Sequence, residues 1–592
     1  MPTVILTGLP VPGSPLADEL RGLGFDVRPA AGPEEAAAML STVPADQRVA
    51  VVDSAFVGHV HALRLALTDP RFDACAVSGA LAVQPAARTA LDKAAATAAA
   101  TGAGSYADRL AAEAEAAGAT VQRPELGTLV AAVPATAAER DAAVAAVAAV
   151  DEEAVRLRTA VKSRDGFFTT FFISPYSRYI ARWCARRGLT PNQVTTASLL
   201  TALVAAGCAA TGDRWGYVAA GVLLLVSFVL DCTDGQLARY SLQYSTMGAW
   251  LDATFDRAKE YAFYAGLALG AARNGDDVWA LALGAMILMT CRHVVDFSFN
   301  EANHDATANT SPTAALSGRL DSVGWTVWVR RMIILPIGER WAMIAVLTAV
   351  TTPRTVFYAL LIGCAFGALY TTAGRVLRSL TRKARRTDRA AAALAELTDS
   401  GPVAQAWATL IGGRLPAGPL VYALVGSVLM VGSAVDSEYG APWLIGTAVF
   451  YGIAAGKSLE RPLKGALDWL IPPLFRAAEY VSVLALALHA DVPGALPAAF
   501  GLIAAVAYHH YDTVYRIRGG TGAPPRWLVW TTGGHEGRVL LAVVLAAVLP
   551  RDAFPVALTA MAVFVALVVL VESIRFWVSS GAPAVHDEGE PA

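Results

Sequence analysis

Charge is scarce in this chain, and the scarcity narrows its class before any motif is read. Only 16% of the 592 residues are Asp, Glu, Lys or Arg, against 55% hydrophobic. A soluble domain has about a quarter charged residues, so the shortfall points to a polytopic membrane protein. An excess of positive charge is missing too. Lys and Arg number 47 and Asp and Glu 49, for a net charge of −2, with no basic patch interleaved with aromatics. That excludes a nucleic-acid partner. Cysteine is sparse: Cys75, Cys184, Cys208, Cys232, Cys291 and Cys364 lie far apart and form no CxxC pair, so neither a disulfide framework nor a zinc site is expected. The opening stretch, MPTVILTGLPVPGSP, has no charged segment followed by a long apolar core. It does not read as a signal peptide, and the first domain is expected in the cytoplasm.

What is present divides into three regions. Residues 1–150 are Ala-rich but never apolar for long enough to span a bilayer. Thr3–Thr7, Arg48–Asp53 and Thr128–Val133 read as strands, and Pro15–Leu23, Pro33–Leu40 and Thr136–Val150 as helices. This alternation predicts a small α/β domain with a largely parallel sheet. Ala94–Gly118 is low in complexity, and reads as a long surface helix or a partly disordered stretch.

Apolar segments then dominate. Residues 174–187 set Tyr176, Tyr179, Ile180 and Trp183 against Arg178, Arg182, Arg186 and Arg187, the pattern of a helix lying in the membrane interface. Six apolar segments follow, near 193–211, 215–239, 248–271, 278–297, 341–351 and 354–376. The fifth is short, and is expected to begin nearer Ile333. After a basic run at Arg382–Arg386 and a polar linker, 386–416, six more follow within 417–578, near 417–434, 442–456, 468–489, 493–511, 537–549 and 554–578; 579–592 is a polar tail. No sequence repeat between the two sets is evident. The expected fold is therefore a small α/β domain followed by a polytopic all-α membrane protein of six plus six helices. With the interfacial helix inside, the basic loops at Arg375–Arg386, Lys457–Lys464 and Tyr515–Arg518 all fall on the cytoplasmic side, and Asn274–Asp277 and Asp436–Glu438 outside. This distribution places both termini and the candidate site in the cytoplasm, in the plasma membrane.

The chemistry concentrates at 231–256. Asp231 and Asp234 stand three apart at the end of one apolar segment, and Asp252 and Asp256 four apart at the start of the next. Each pair shares a helix face, and the short connection makes the helices antiparallel neighbours. Four carboxylates converging at a membrane boundary repel each other and lose hydration unless a cation joins them. Hard oxygen donors at this density suit Mg²⁺ or Mn²⁺, with phosphate as a shared ligand. The bland alternative, four Asp residues that merely cap helix ends, fits two carboxylates better than four.

The whole string D-x2-D-G-x2-A-R-x8-G-x3-D-x3-D is filled here from Asp231 to Asp256, and it resembles the signature of the CDP-alcohol phosphotransferases. Asp165-Gly166-Phe167-Phe168 and Thr190–Thr195 extend the resemblance, which covers about 162–385 and is nearest the inositol-phosphate-using branch. The resemblance implies transfer of a phosphoalcohol, with phosphatidyl the expected group, from a CDP-alcohol donor to an alcohol acceptor with release of CMP. It implies one or two metals, with two expected per site, on Asp231, Asp234, Asp252 and Asp256, and Asp256 as catalytic base. Asn192, Thr195, Gly235, Arg239 and Ser245 would contact the CDP moiety, and a homodimer is implied.

Arg292, Arg331 and Arg340 are candidate acceptor-binding residues, their alternative being positive-inside topology and headgroup contact. Some members of that branch carry a cytidylyltransferase ahead of the membrane unit. Here Thr7–Ser14 has glycines but no Lys or Arg, its prolines remove backbone donors, and Asp53 at a strand end is as well suited to capping. The first domain reads as a degenerate nucleotidyltransferase-like unit. Within 417–578, Arg476, Glu479, His509, His510, Asp512, His535, Glu536 and Arg538 form a possible second site, or pairs of juxtamembrane charges. Twelve spans and this polar set leave two rivals to an enzyme: a lipid or polyol transporter, and a scaffold with a decayed catalytic unit.

Overall fold

The computed structural model describes residues 2–69, 72–100, 104–162, 165–304, 306, 334–381, 384–410 and 417–579. The expected α/β domain comes first. Strand β1 (Thr3–Thr7) is buried along its whole length and pairs in parallel with β2 (Asp26–Ala30) and β3 (Val49–Asp53). Helices α1 (Leu16–Gly22) and α2 (Pro33–Thr42) make the crossovers. A two-residue strand, β4 (Val57–Gly58), leads into α3 (Val60–Thr68); β5 (Ala74–Val77) and β6 (Ala80–Val83) then form a hairpin. Strand β6 runs antiparallel to both its neighbours, so the sheet order β2-β1-β3-β6-β5-β7, with β7 at Val121–Gln122, is parallel except for one strand.

Two expectations fail here. The described residues of Ala94–Gly118, which exclude 101–103, do not form one surface helix. They belong to α4 (Arg88–Ala100) and α5 (Tyr106–Ala116), which bury Leu91, Ala94, Ala98, Leu110 and Ala114 against the sheet. Alanines at helical spacing make a flat face that packs closely, which low complexity conceals. The strand expected at Thr128–Val133 shrinks to β8 (Ala131–Ala132), which pairs with β4. Helices α6 (Ala137–Ala148) and α7 (Glu152–Thr159) lead to the membrane unit.

Helix α8 (Ser174–Arg186) has the expected two faces: Ser177, Ala181 and Cys184 are buried, while Tyr176, Tyr179 and Trp183 are exposed. Four long helices follow. They are α9 (Pro191–Thr211), α10 (Arg214–Ser241), α11 (Thr246–Arg273) and α12 (Trp279–Asn303). A capping box of Thr190 and Gln193, with Pro191 in the first turn, starts α9, satisfying its first free amides. Gly266 and Gly270 let α11 lie against the backbone of α9, where an added Cβ would stand 2.4 Å from Ala206 O and 2.1 Å from Ala209 O. Helices α13 (Ile337–Val350) and α14 (Pro353–Thr381) complete the group.

The stretch expected as a polar linker holds α15 (Asp388–Leu397) and α16 (Pro402–Leu410) instead. Ala390, Ala391, Leu394, Leu397 and Ala404 are buried, and an apolar stripe of that width needs a partner. Then come α17 (Pro419–Asp436), α18 (Trp443–Ser458), α19 (Ile471–Ala490), α20 (Ala495–Arg518), a short α21 (Arg526–Thr532), α22 (Gly534–Val548) and α23 (Phe554–Ser579).

A helix thus stands at each of the twelve apolar segments, but among the described residues seven are long and apolar enough to cross a membrane: α9, α10, α12, α14, α17, α19 with the turn before it, and α23. Of the others, α13, α18 and α22 have 14, 16 and 15 residues, short of the usual ~20 for a span. Helix α11 carries Asp252, Asp256, Arg257, Lys259 and Glu260.

Candidate metal and phosphate site

The site grows from the joint between α10 and α11. Leu242, at φ 52°, ends α10 in the left-handed region, and Ser245 then caps α11 by accepting from the Gly248 amide at 2.9 Å. That tight joint turns the chain back on itself. One carboxylate oxygen from each of Asp231, Asp252 and Asp256 falls within a 4.8 Å cluster, Asp252 being the exposed member. Asp234 lies outside that cluster and is buried, and its Oδ2 has no hydrogen-bond partner.

Sequence reasoning missed one residue. Lys259, fully buried and three positions after Asp256, ion-pairs with Asp231 and with Asp256, the latter at 2.8 Å, and donates to Ser198 Oγ at 3.2 Å. The signal was there, since i and i+3 share a helix face, but a lysine pointing into an acidic cluster is indistinguishable in sequence from one that faces solvent.

The donor set fits a divalent cation. Three carboxylates offer oxygens at chelating separation and a fourth, Asp234, keeps a buried oxygen unsatisfied; such an oxygen costs free energy unless something binds it.

The residues expected around the nucleotide are gathered at the same end of the helices. Thr195 is buried one turn into α9. Gly248 is needed where it is, because an added Cβ would stand 2.8 Å from both Asn192 Oδ1 and Ser245 Oγ. The Arg239 guanidinium lies above Gly235, 3.5 Å from where a Cβ would be, while its Nε donates to Ala160 O at 2.6 Å. Glu339, at the start of α13, accepts from the Phe168 amide at 3.3 Å. It thereby ties the Asp165–Phe168 stretch to the bundle.

The acceptor candidates fare differently. Arg340 is buried and ion-paired with Glu260 at 3.3 Å. Arg292 is buried, and its Nη2 donates to Ile334 O. Arg331 lies outside the described residues.

The first domain docks at this end. Arg64 donates to Ser241 O at 2.6 Å, and Arg156 stacks on Tyr240 at 4.1 Å. Its own glycine loop is closed by Ser54, which donates to Leu9 O at 2.8 Å, and Asp53 caps the next turn through the Ala55 amide.

The possible second site separates into parts. Arg476, Glu479 and Arg538 join Asp399, which the sequence reading had not singled out, and His509 in one buried network. Its contacts are Arg476–Asp399 3.0 Å, Arg538–Asp399 2.7 Å and His509–Asp399 3.1 Å. His535 bonds Tyr451 at 2.7 Å, and Glu536 Oε1 accepts from the Gly401 and Ala404 amides. Asp512 pairs with Arg516 at 2.9 Å. His510 is buried, its Nε2 without a hydrogen-bond partner.

Fold and site define a helical membrane protein with a carboxylate cluster where two neighbouring helices meet. Residues 188–366 match the model of the CDP-alcohol phosphatidyltransferases, so the chain carries a domain of that family. Residues 388–592 match a family of unknown function (DUF5941). Among similar proteins, the bifunctional IPC transferase and DIPP synthase of Aquifex aeolicus is 28% identical over 34% of this chain and 45% of its own length. The archaetidylinositol phosphate synthase of Pyrococcus horikoshii is 32% identical over 19% and 58%. The phosphatidylinositol phosphate synthase of Streptomyces avermitilis is 34% identical over 21% and 51%. The chain spans about half the length of these relatives.

Proposed function

We propose that this chain transfers a phosphoalcohol group, phosphatidyl in the favoured reading, from a CDP-alcohol such as CDP-diacylglycerol to an acceptor hydroxyl, releasing CMP in lipid or headgroup synthesis. The observation that carries it is the convergence of Asp231, Asp252 and Asp256, with Asp234 beside them. Mg²⁺ or Mn²⁺, two per site, would neutralise the pyrophosphate and the departing CMP. Asp231, Asp234, Asp252 and Asp256 hold that charge. Asp256 accepts the proton of the attacking hydroxyl. Arg239, fixed above Gly235, faces the pyrophosphate with a permanent positive charge. Gly248 keeps Asn192 and Ser245 close enough to grip the nucleotide. Inositol phosphate is the acceptor favoured by the names of the similar proteins.

The orientation follows the basic loops: twelve spans in the plasma membrane, with site and termini cytoplasmic. A transporter is disfavoured, since Arg476, Glu479, Arg538 and Asp399 bond one another rather than line a path. The test is CMP release from CDP-diacylglycerol and from soluble CDP-alcohols by the purified chain with inositol phosphate and other alcohols, with Mg²⁺ and with EDTA. Metal-dependent release is expected; silence with every donor would remove the transferase reading.

A further inference from the structure

The two helical halves repeat each other. In the first, α8 touches α10, α9 touches α10 and α11, α10 touches α13, α11 touches α12, α12 touches α14 and α13 touches α14. In the second, the same relations hold one for one among α16, α17, α18, α19, α20, α22 and α23.

Side chains repeat as well. Arg257 Nη1 donates to Glu260 Oε2 at 2.7 Å, and Arg476 Nη1 to Glu479 Oε2 at 2.7 Å; Tyr261 and Tyr480 come next in sequence. Each glutamate's Oε1 faces the Nε of an arginine from the fifth helix, Arg340 at 3.3 Å or Arg538 at 2.5 Å. Each fifth helix also begins with a glutamate that accepts amides ahead of the bundle, Glu339 from Phe168 and Glu536 from Gly401 and Ala404. Two unrelated bundles would not share an Arg–Glu–Arg triad, a helix-joining glutamate and a contact scheme.

What differs is the site. Counting back from the shared arginine, Asp256 becomes Phe475 and Asp252 becomes Ile471, and forward, Lys259 becomes Ala478. Helix α18, the counterpart of α10, contains no Asp or Glu. Phe475 stacks on His535 with centroids 4.4 Å apart.

The halves also meet reciprocally. Helix α11 packs on α20, its counterpart-in-exchange α19 packs on α12, and α12 meets its own counterpart α20. That is the pattern of a two-fold interface. Across it, the Tyr511 hydroxyl bonds His293 Nδ1 and its ring lies 5.4 Å from the Arg257 guanidinium. Trp577, held by Asp512 at 2.7 Å, stacks on Trp250. Trp250 and Arg257 flank Asp252 and Asp256 on α11.

We infer that the helices from α16 to α23 are a second copy of the transferase fold, stripped of its carboxylates and seated on the first by an internal two-fold, so that one chain carries its own partner. Tyr511 is a positioning residue by which this copy braces the carboxylate helix. The duplication stands on geometry; only the brace's effect on turnover rests on the transferase reading.

Three measurements on the full-length chain test it. Native mass spectrometry from detergent is expected to give one chain per particle, and a stable two-chain particle would overturn the resident partner. Mn²⁺ binding, followed by electron paramagnetic resonance, is expected to vanish in Asp252→Asn/Asp256→Asn; a tight site that persists would mean the second copy is not empty. Tyr511→Ala should weaken Mn²⁺ about tenfold, the size typical of a lost outer-shell support, and lower kcat with the donor KM unchanged. Tyr511→Phe, which keeps the ring against Arg257, should recover most of the loss. Wild-type Mn²⁺ affinity in Tyr511→Ala would sink the brace. If no donor releases CMP while the mass and Mn²⁺ results hold, the transferase reading falls and the duplication stands.

Discussion

Asp252 and Asp256 stand one helical turn apart on α11, and their cost in isolation is what makes them informative. Asp252→Asn or Asp256→Asn is expected to cut CMP release by about 100-fold or more, the scale of several kcal/mol of lost charge stabilisation. Membrane insertion should persist, as gel filtration in detergent would show; undiminished turnover would exclude the metal role. Lys259 allows a second test. It neutralises Asp231 and Asp256 from within the cluster, and removing one partner of a buried pair costs about 3–5 kcal/mol. Lys259→Met should therefore melt well below the wild type in EDTA and regain most of the difference in Mg²⁺. A deficit of equal size in both conditions would show that Lys259 does not share the carboxylates with a cation.

At the level of elements, the approach of α9 to α11 depends on Gly248. Gly248→Ala puts a methyl group 2.8 Å from Asn192 Oδ1 and Ser245 Oγ, and is expected to raise the KM for the CDP-alcohol several-fold with little change in melting temperature. An unchanged KM would detach Asn192 and Ser245 from the nucleotide.

Helix α3 predicts a pH response. Burial, together with Arg156, Arg64 and His59, pushes His61 down from 6.5 to about 4. As pH falls below 6.5 the unfolded chain takes up a proton that the folded domain refuses. The stability present at neutral pH is thus lost progressively down to about pH 4, by up to about 3 kcal/mol. Hydrogen exchange in the first domain should accelerate between pH 6.5 and 4.5 in the wild type and less in His61→Leu; identical profiles would contradict this.

For the whole molecule, the proposed orientation rests on the basic loops. Single cysteines introduced at Asp276 and Asp436 are expected to react with an impermeant maleimide from outside intact cells, and cysteines at Arg385 and Lys464 only after lysis. Labelling of all four from one side would refute the twelve-span count. The chain's length also acquires a reason at this scale, because the second set of helices repeats the first and faces it.

The site signature, the α/β start and the twelve apolar segments were legible in the sequence, because each is local. Periodicity and fixed spacing are set by helix and strand geometry, whatever surrounds them. The packed alanine helices α4 and α5, the buried face of α15 and the helix α16 that follows it, the place of Lys259 and the kinship of the two halves were not. Each depends on which surfaces meet: an alanine face reads as low complexity until a sheet covers it, and a lysine reads as exposed until carboxylates surround it. The repeat escaped because the shared charges are few and the apolar residues between them are interchangeable in lipid. Only the fold brings Arg257, Glu260 and Arg340 together, and sets beside them the same arrangement of Arg476, Glu479 and Arg538.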